Sequence, residues 1–252
     1  MTRNNQQDKP FIIWTMQRTG GTNFTKNLIQ MTGLSVHHEP FNRPREYGGL
    51  SAHWEEHRDT DELDLRIGEI LDTPQIIKHC VEMVPWRISA VLAQEAAKRD
   101  YNHLFLVRGS SLQRLLSMEY ARRTRVWGPS HQRPDEATDS AFDAPLDVEV
   151  LFKHEANGVN RLNKFWQMLK KNKKTPVSIS FETIYDEPID VAENKITAVL
   201  SRLLLTPDTP IEDLITLMRD KGNQKTRDRY GRFKGIEVLD KRLGELPAYN
   251  FV

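Results

Sequence analysis

The chain has little of what secreted and membrane proteins depend on. Cys80 is its single cysteine, so no disulfide can form within the chain, which agrees with a reducing compartment. No apolar run approaches the roughly 20 residues that a membrane helix needs, and the polar residues 1–9 contain no apolar signal core. We therefore expect a cytoplasmic protein with no transmembrane segment.

An excess of charge of one sign is also absent. The chain has 36 lysines and arginines against 35 aspartates and glutamates, for a net charge of +1. It lacks the bulk attraction to polyanions that would indicate nucleic acid or an anionic membrane as a partner. Its 252 residues are enough to bury a sizeable core, and 38% of them are hydrophobic. One α/β domain over residues 1–252 is predicted.

The stretch that organises the chain runs from Phe11 to Leu28 and reads FIIWTMQRTGGTNFTKNL. Residues 11–16 are an apolar run with β-branched and aromatic members, which is typical of a buried parallel strand. Two adjacent glycines then allow a tight turn that brings backbone amides close to a ligand. Apolar residues at helical spacing follow over 23–31. A strand, a glycine-rich turn and a helix N-terminus together favour an anion.

This loop differs from the common phosphate loop, which has a lysine directly after its glycines. Here an arginine precedes the glycines and a threonine follows them, offering a planar fork and a hydroxyl donor for a phosphate or sulfuryl group. The alternative is a tight strand-to-helix turn with no ligand. The candidate anion-binding residues of the loop are Arg18, Thr19, Gly20, Gly21, Thr22 and Asn23.

A second strand, turn and helix are predicted over residues 103–124. Leu104 to Val107 is an apolar run, Arg108 stands at its end, and Ser117 follows nine positions later on the helix. An arginine at a strand end and a serine on the next helix can hold one anion between them. Arg114 could add a further charge. The alternative is an amphipathic helix with a solvated basic face.

In their order along the chain these motifs resemble the sulfotransferases that use 3′-phosphoadenosine 5′-phosphosulfate (PAPS), most closely the bacterial and carbohydrate-type branch. Residues 18–22 are similar to the 5′-phosphosulfate loop, written [KR]-S-G-[TS]-[TS], with Gly21 in place of a hydroxyl residue. Arg108 and Ser117 resemble the motif that holds the 3′-phosphate. The resemblance implies a P-loop-like fold of three layers, with a central parallel sheet flanked by helices.

The resemblance also implies catalytic residues. Residues 38–42, His-Glu-Pro-Phe-Asn, are similar to the segment that carries the base for the acceptor hydroxyl, which makes Glu39 the leading general base. Pro40 should hold Glu39 extended at a strand end, where open α/β sheets bind ligands. Lys78 and His79 resemble a lysine and histidine near the sulfuryl group, and His79 is the second candidate base. A solvated turn glutamate and a structural histidine are the alternatives.

The remaining segments have supporting roles in this interpretation. Residues 43–73 and 124–147 are predicted to be insertions on the acceptor side, and Asp147 is expected to cap a helix that runs to about residue 171. Residues 181–184 resemble the Y-E-[DE]-L segment of sulfotransferases, in which the glutamate is chiefly structural. Asp190 looks like the start of a capping box that opens a further helix.

A basic C-terminal stretch, residues 219–242, resembles the loop that sulfotransferases close over the 3′-phosphate. In this comparison Arg232 and Lys234 would contact the donor. The alternative is a solvated basic tail.

The function implied by the resemblance is transfer of a sulfuryl group from PAPS to a hydroxyl of a small-molecule, sugar or lipid acceptor by in-line displacement. Glu39 or His79 takes the acceptor proton, Arg18 and Lys78 steady the developing charge, and the scheme requires no metal. Two alternatives stay open. One is a P-loop kinase or other NTP-dependent phosphotransferase, and the other is an inactive protein that binds an adenine nucleotide.

Overall fold

The computed structural model describes residues 9–127, 140–222 and 227–252. At its centre is a five-stranded sheet in which every strand pairs in parallel with its neighbours, in the order β2-β3-β1-β4-β5. The strands are β1 (Phe11–Thr15), β2 (Ser35–His38), β3 (Gln75–Cys80), β4 (Asn102–Val107) and β5 (Val177–Ser180).

The α-helices of the described residues connect and cover these strands. In chain order they are α1 (Gly21–Leu28), α2 (Gly48–His57), α3 (Thr60–Asp72), α4 (Trp86–Lys98), α5 (Ser111–Thr124), α6 (Val148–Lys171), α7 (Phe181–Tyr185), α8 (Ile189–Leu203), α9 (Ile211–Gly222) and α10 (Ile236–Leu243).

Helices cover both faces of the sheet because its strands are apolar on both sides. Ile12 and Trp14 of β1 belong to a core cluster with α3, α4 and α6, whereas Phe11 and Ile13 belong to another with α1, α8 and α9. All residues of β1 are buried, as expected for a central strand of a parallel sheet. The predicted α/β fold of three layers, with a parallel sheet flanked by helices, is therefore confirmed.

Aromatic rings fill the first of these faces. Phe165 of α6 stacks on Trp14, with ring centroids 5.3 Å apart, and on Trp86, with centroids 4.4 Å apart. These offset stacks add to the area that the rings bury. Through these contacts α6 and the start of α4 pack against the central strand β1, next to its last residue.

The segment predicted as the first acceptor-side insertion contains part of the core. Helix α3 buries Leu63, Ile67 and Leu71 and packs on α4, so it belongs to the helical layer on one face of the sheet. Its amphipathic spacing and Asp59 cap follow the expected pattern, since Asp59 accepts a hydrogen bond from the Glu62 amide at 3.0 Å. The predicted role of this segment at an acceptor site stays a prediction.

The first residues of two helices can be compared with the capping residues predicted from the sequence. Asp147 caps α6 as predicted and accepts from the Val150 amide at 3.1 Å. Asp190 does not cap α8, because that helix already begins at Ile189 with Pro188 as its N-cap residue. Residues 128–139 of the predicted second insertion lie outside the described residues.

The order of the strands opens a crevice at the carboxyl edge of the sheet. The chain leaves β1 for α1 on one face, and the connection from β4 reaches α6 on the other face. Connections that diverge from neighbouring parallel strands leave a crevice in which α/β proteins bind ligands. The loops after β1 and β4 therefore border the candidate site. None of the helices in the described part of the chain could span a membrane.

Candidate functional site

Gly20 gives the loop after β1 its shape. Its φ is +75°, in the left-handed region, and it is the N-cap residue of α1, with its carbonyl accepting from the Phe24 amide at 3.1 Å. A Cβ at Gly20 would lie 2.9 Å from Tyr185 Cε2 and 3.0 Å from Phe181 Cδ2. Gly21 is different, because a Cβ there would meet its nearest neighbour, Lys78 Cδ, at an ordinary 3.5 Å. The turn therefore requires glycine only at position 20.

Two of the predicted anion-binding residues, Thr19 and Asn23, have side chains that bond to other parts of the fold. The Thr19 hydroxyl is buried, donates to the Met16 carbonyl at 2.9 Å and lies 2.6 Å from the Thr15 hydroxyl. The Asn23 amide donates to the Tyr185 hydroxyl at 3.0 Å and to a carbonyl of α9 at 2.8 Å. Both side chains thus hold the loop and α1 in place, and a contact of Thr19 and Asn23 with a ligand stays a prediction.

Arg18, Arg108 and Ser117 meet at the carboxyl edge of β1 and β4. Arg18 Nε donates to Ser117 Oγ at 2.9 Å, and Arg108 Nη1 donates to the Arg18 carbonyl at 3.2 Å. A third contact runs from Arg18 Nη1 to the Trp127 carbonyl at 2.9 Å. The structure therefore brings the two predicted halves of the donor site onto one side of the molecule.

Arg108 is buried in a way that favours an anion. It is 6% exposed, its guanidinium lies over the Phe181 ring at 4.3 Å from the centroid, and Nε has no hydrogen-bond partner among the described residues. The pKa of Arg108 is lowered to about 10, chiefly by burial; Tyr230 opposes this and Arg227 adds to it. A negative ligand would offset the cost of burying this charge.

Arg18 is in a related environment. Burial lowers its pKa, and Tyr230 opposes the shift. Two arginines with desolvated guanidinium groups thus lie at the same loop, joined by the bond from Arg108 to the Arg18 carbonyl. Such an arrangement suits a phosphate or phosphosulfate, whose oxygens accept from planar guanidinium donors.

A buried ionic network holds the loop from the other side. Arg114 is fully buried, donates from Nη1 to the Gln17 carbonyl at 3.0 Å and from Nε to Glu155 at 2.9 Å. The Gln17 amide donates to Glu82 at 2.6 Å, and Glu82 also pairs with Arg114. Arg114 therefore cannot supply the further charge at the donor site, because two carboxylates and a carbonyl already occupy it.

Lys78 brings an ammonium group to the loop from the neighbouring strand. Its Nζ donates to Glu39 Oε1 at 2.6 Å and to the Thr22 hydroxyl at 3.2 Å. Lys78 thus takes a position beside the first turn of α1, although the loop itself contains no lysine. The exposed Thr22 lies between this ammonium group and solvent.

Glu39 stands at the end of β2, as predicted, but its backbone is not extended. Its φ is +55°, and its amide donates to the Lys78 carbonyl at 2.7 Å, so the chain turns sharply at this residue. The second carboxylate oxygen accepts from Asn42 Nδ2 at 3.0 Å. A preference of residues before proline for extended backbone is therefore overridden here by the local hydrogen bonds.

The charge of each partner in the Lys78–Glu39 pair is stabilised by the other. Burial raises the pKa of Glu39, but the charge and hydrogen bond of Lys78 outweigh it, and the net shift is downward. Burial lowers the pKa of Lys78, but Cys80 and Glu39 outweigh it, and the net shift is upward. Glu39 is therefore ionised at neutral pH and is a weak base while the pair is intact.

His79 points away from this site, since neighbours on a strand face opposite sides. It is 1% exposed, lies 2.8 Å from Ser89 Oγ through Nε2, and packs edge-on against the Trp14 and Phe41 rings. Burial lowers its pKa to about 3. The structure contradicts His79 as a base for the acceptor, because its ring lies in the core.

Glu182 has the structural role that was predicted. Its two carboxylate oxygens accept from the Gly109 amide at 2.8 Å and the Ser110 amide at 3.1 Å. Ser110 in turn caps α5 through a bond from the Gln113 amide at 3.3 Å. These contacts fix the turn that carries Arg108.

The basic C-terminal stretch lies against α5 and residues 140–146. The Arg232 guanidinium lies 4.4 Å from the Phe142 ring centroid, and Lys234 Nζ donates to the Asp143 carbonyl at 3.0 Å. Within this stretch it is Arg227 whose charge lowers the pKa of Arg108. A contact of Arg232 and Lys234 with a 3′-phosphate stays a prediction.

Sequence reasoning missed several residues that shape the site. Phe181 belongs to the segment 181–184, in which only the glutamate was considered. Its position as an aromatic residue directly after β5 could have indicated a contact with the site. No pattern in the sequence indicated Tyr230, Glu82 or Glu155. These residues come close to the loop only through tertiary packing.

Comparisons with known proteins add little to this description. A scan against models of protein families gave no match, and neither did a search of curated proteins. A solved structure from the PezAT chromosomal toxin–antitoxin system of Streptococcus pneumoniae has 10% identity and a TM-score of 0.36, covering 97% of this chain and 89% of that one. A likeness at that level carries no argument about function.

The two glycines of the loop give a matched pair of variants. Gly20→Ala should lower the free energy of unfolding by at least about 1 kcal/mol, because its φ and two aromatic contacts exclude a methyl group. Gly21→Ala should change it by less than about 1 kcal/mol, since the added methyl group makes only ordinary contacts and alanine favours a helix. Urea unfolding measures both. Equal losses in the two variants would contradict the assigned turn.

The buried ion pair predicts an acid-dependent stability. Glu39→Gln should destabilise the protein by about 1–3 kcal/mol at neutral pH, because the buried Lys78 keeps its charge and loses the negative charge that balances it. The pKa of Glu39 is lower in the folded than in the unfolded chain, so its contribution is complete above the ordinary value of 4.5 and is lost as pH falls through the folded value. The difference in the free energy of unfolding between wild type and Glu39→Gln should therefore disappear at acid pH.

Urea unfolding over a pH series checks this expectation. Glu69→Gln is the control, because Glu69 makes an exposed ion pair with Arg66 on α3 and should matter little at any pH. A gap between wild type and Glu39→Gln that persists at acid pH would show that the ion pair is not its source.

Proposed function

We propose that this protein is a PAPS-dependent sulfotransferase that acts on a hydroxyl of a small-molecule, sugar or lipid acceptor. The observation that carries the proposal is the buried Arg108, which contacts Arg18 and has an unpartnered Nε, at the same loop edge as the Lys78–Glu39 pair. One side of the loop thus offers desolvated cations to a donor, and the other offers a carboxylate to an acceptor.

The residues present fit the two anionic ends of such a donor. The amides after Gly20 and the side chains of Arg18 and Thr22 would hold the 5′-phosphosulfate, on a turn where Phe181 and Tyr185 leave no space for a Cβ at Gly20. Arg108 and Ser117 would hold the 3′-phosphate, as the resemblance to sulfotransferases implies. Arg18 links the two, because its side chain bonds to Ser117 and its carbonyl accepts from Arg108.

The proposed reaction is an in-line displacement at sulfur. The acceptor oxygen forms a bond to sulfur while the bond from sulfur to the 5′-phosphate oxygen breaks, and the electron pair leaves with that phosphate. Glu39 takes the acceptor proton. Arg18, Lys78 and the loop amides stabilise the negative charge that develops on the sulfuryl and phosphate oxygens.

The single cysteine of the chain agrees with the proposed cytoplasmic location and also supports the candidate base. Cys80 is buried beside Glu39, and its thiol donates to that carboxylate at 3.3 Å. Burial raises the pKa of the Cys80 thiol, which keeps it protonated and able to donate.

Ligand preference tests the donor site. Calorimetry should show adenosine 3′,5′-bisphosphate binding more tightly than AMP, because only the bisphosphate reaches Arg108. In Arg108→Ala the preference should fall by about tenfold or more, since a charge-assisted contact contributes roughly 1.5–3 kcal/mol. Arg66→Ala on the exposed side of α3 should leave it unchanged. Tighter binding of ATP, with magnesium-dependent turnover, would instead favour a phosphotransferase.

Variants of the two predicted bases test the acceptor side. Transfer of labelled sulfuryl from PAPS to a panel of phenols, sugars and lipid alcohols should fall about a hundredfold or more in Glu39→Gln. Bisphosphate binding should persist in that variant. His79→Gln should retain the wild-type rate per folded molecule, with the folded fraction taken from circular dichroism. Binding of bisphosphate without transfer to any member of the panel would favour an inactive nucleotide-binding protein.

A further inference from the structure

Both carboxylate oxygens of Glu39 are already engaged. Oε1 accepts from Lys78 Nζ at 2.6 Å and from the Cys80 thiol at 3.3 Å, while Oε2 accepts from Asn42 Nδ2 at 3.0 Å. The side chains of Lys78 and Glu39 are 6% and 16% exposed. A carboxylate held in this way is a poor acceptor for a further proton, so a base at this position needs a means of release.

Lys78 has a second partner that lies towards the loop. Its Nζ is 3.2 Å from Thr22 Oγ1 in the first turn of α1, and its stem runs beside Gly21, where a Cβ would lie 3.5 Å from Lys78 Cδ. An ammonium group has three donors on a flexible stem and can turn between acceptors without leaving its site. The same Nζ therefore lies between the carboxylate of Glu39 and the anion cradle.

Glu39 has supports that do not depend on Lys78. Asn42 bonds its second oxygen, and the amide of Glu39 is fixed to the Lys78 carbonyl at 2.7 Å through the backbone. Beyond Lys78 and the Cys80 thiol, Arg45 lowers the pKa of Glu39, and the charge of Glu39 in turn acts on His79 of β3. His38, the preceding residue, is in turn influenced by both Glu39 and Lys78. The carboxylate can keep its position when the lysine moves.

We propose that Lys78 is an exchangeable partner, which pairs with Glu39 until PAPS binds and then turns to the sulfuryl oxygens, releasing Glu39 to take the acceptor proton. This inference rests on the proposed function. Lys78 keeps its own proton throughout the exchange and only changes acceptor. The base becomes competent only when the donor is in place, so donor binding precedes proton transfer. Asn42 acts as a positioning residue that holds the released carboxylate.

Carbon-13 NMR of the glutamate carboxyl groups tests this exchange, with Glu39→Gln assigning the Glu39 resonance. In wild type the pKa of Glu39 should be low without ligand and should stay low with adenosine 3′,5′-bisphosphate, which has no sulfuryl group. With PAPS, and no acceptor, it should rise by about one unit or more, because the nearby positive charge is withdrawn. The two ligands differ only in the group that is proposed to attract Lys78.

A matched pair of lysine variants gives a second measurement. Lys78→Met should raise the pKa of Glu39 without any ligand, and PAPS should then produce no further rise. Lys26→Met, at an exposed position of α1, should behave as wild type. The comparison of ligands in wild type stands on its own if Lys78→Met does not fold.

The failures of the two proposals can be told apart. If PAPS binds and the pKa of Glu39 does not change, the exchange is overturned while the sulfotransferase proposal stands. An equal rise with the bisphosphate and with PAPS also overturns it, since a phosphate would then be what attracts Lys78. If PAPS does not bind, both proposals fall.

Discussion

Burial of positive charge at the carboxyl edge of a parallel sheet is the constraint on which the site depends. Arg108, Arg18 and Lys78 follow or belong to three neighbouring strands, and all three are largely removed from water. Desolvating a cation is costly unless a partner offsets it. Lys78 has such a partner in Glu39, whereas Arg108 has an aromatic ring and a carbonyl. This difference distinguishes the proposed acceptor half of the site from the proposed donor half.

In the nearby network around Arg114, a buried positive charge is balanced by carboxylates of the protein itself. There a guanidinium group of the same kind, fully buried, has two carboxylates and the Gln17 carbonyl. Its charge is balanced within the fold, and it serves to fix the loop. Two arginines that lie close together in the sequence thus differ in function because of what surrounds them, Arg114 as structure and Arg108 as a candidate ligand-binding group.

Much of the fold could be predicted from local patterns. The apolar runs at 11–16 and 104–107, and the polar residues that follow them, indicated where strands end and helices begin. Because the carboxyl ends of parallel strands share an edge, they also indicated that Arg18 and Arg108 would lie on the same side of the molecule. The direct bond from Arg108 to the Arg18 carbonyl was not predicted. The capping of α6 by Asp147 is a local interaction and was equally readable.

What failed was the direction of individual side chains. The side chains of Thr19 in the loop and Asn23 in the first turn of α1 bond to other parts of the fold, and His79 faces the core because a strand alternates its sides. The partners that decide these directions, Thr15, Tyr185 and Ser89, are distant in sequence or carry no motif. The left-handed backbone of Glu39 likewise depends on bonds to β3 and Asn42, which a local rule about proline does not contain.

The close approach of Gly20 to Phe181 and Tyr185 ties two distant parts of the chain to one another. The aromatic pair fills the space that any larger residue in the turn would need, so neither part can change its bulk alone. In related chains we expect these positions to vary together, with a side chain in the turn accompanied by smaller residues at the first and last positions of α7.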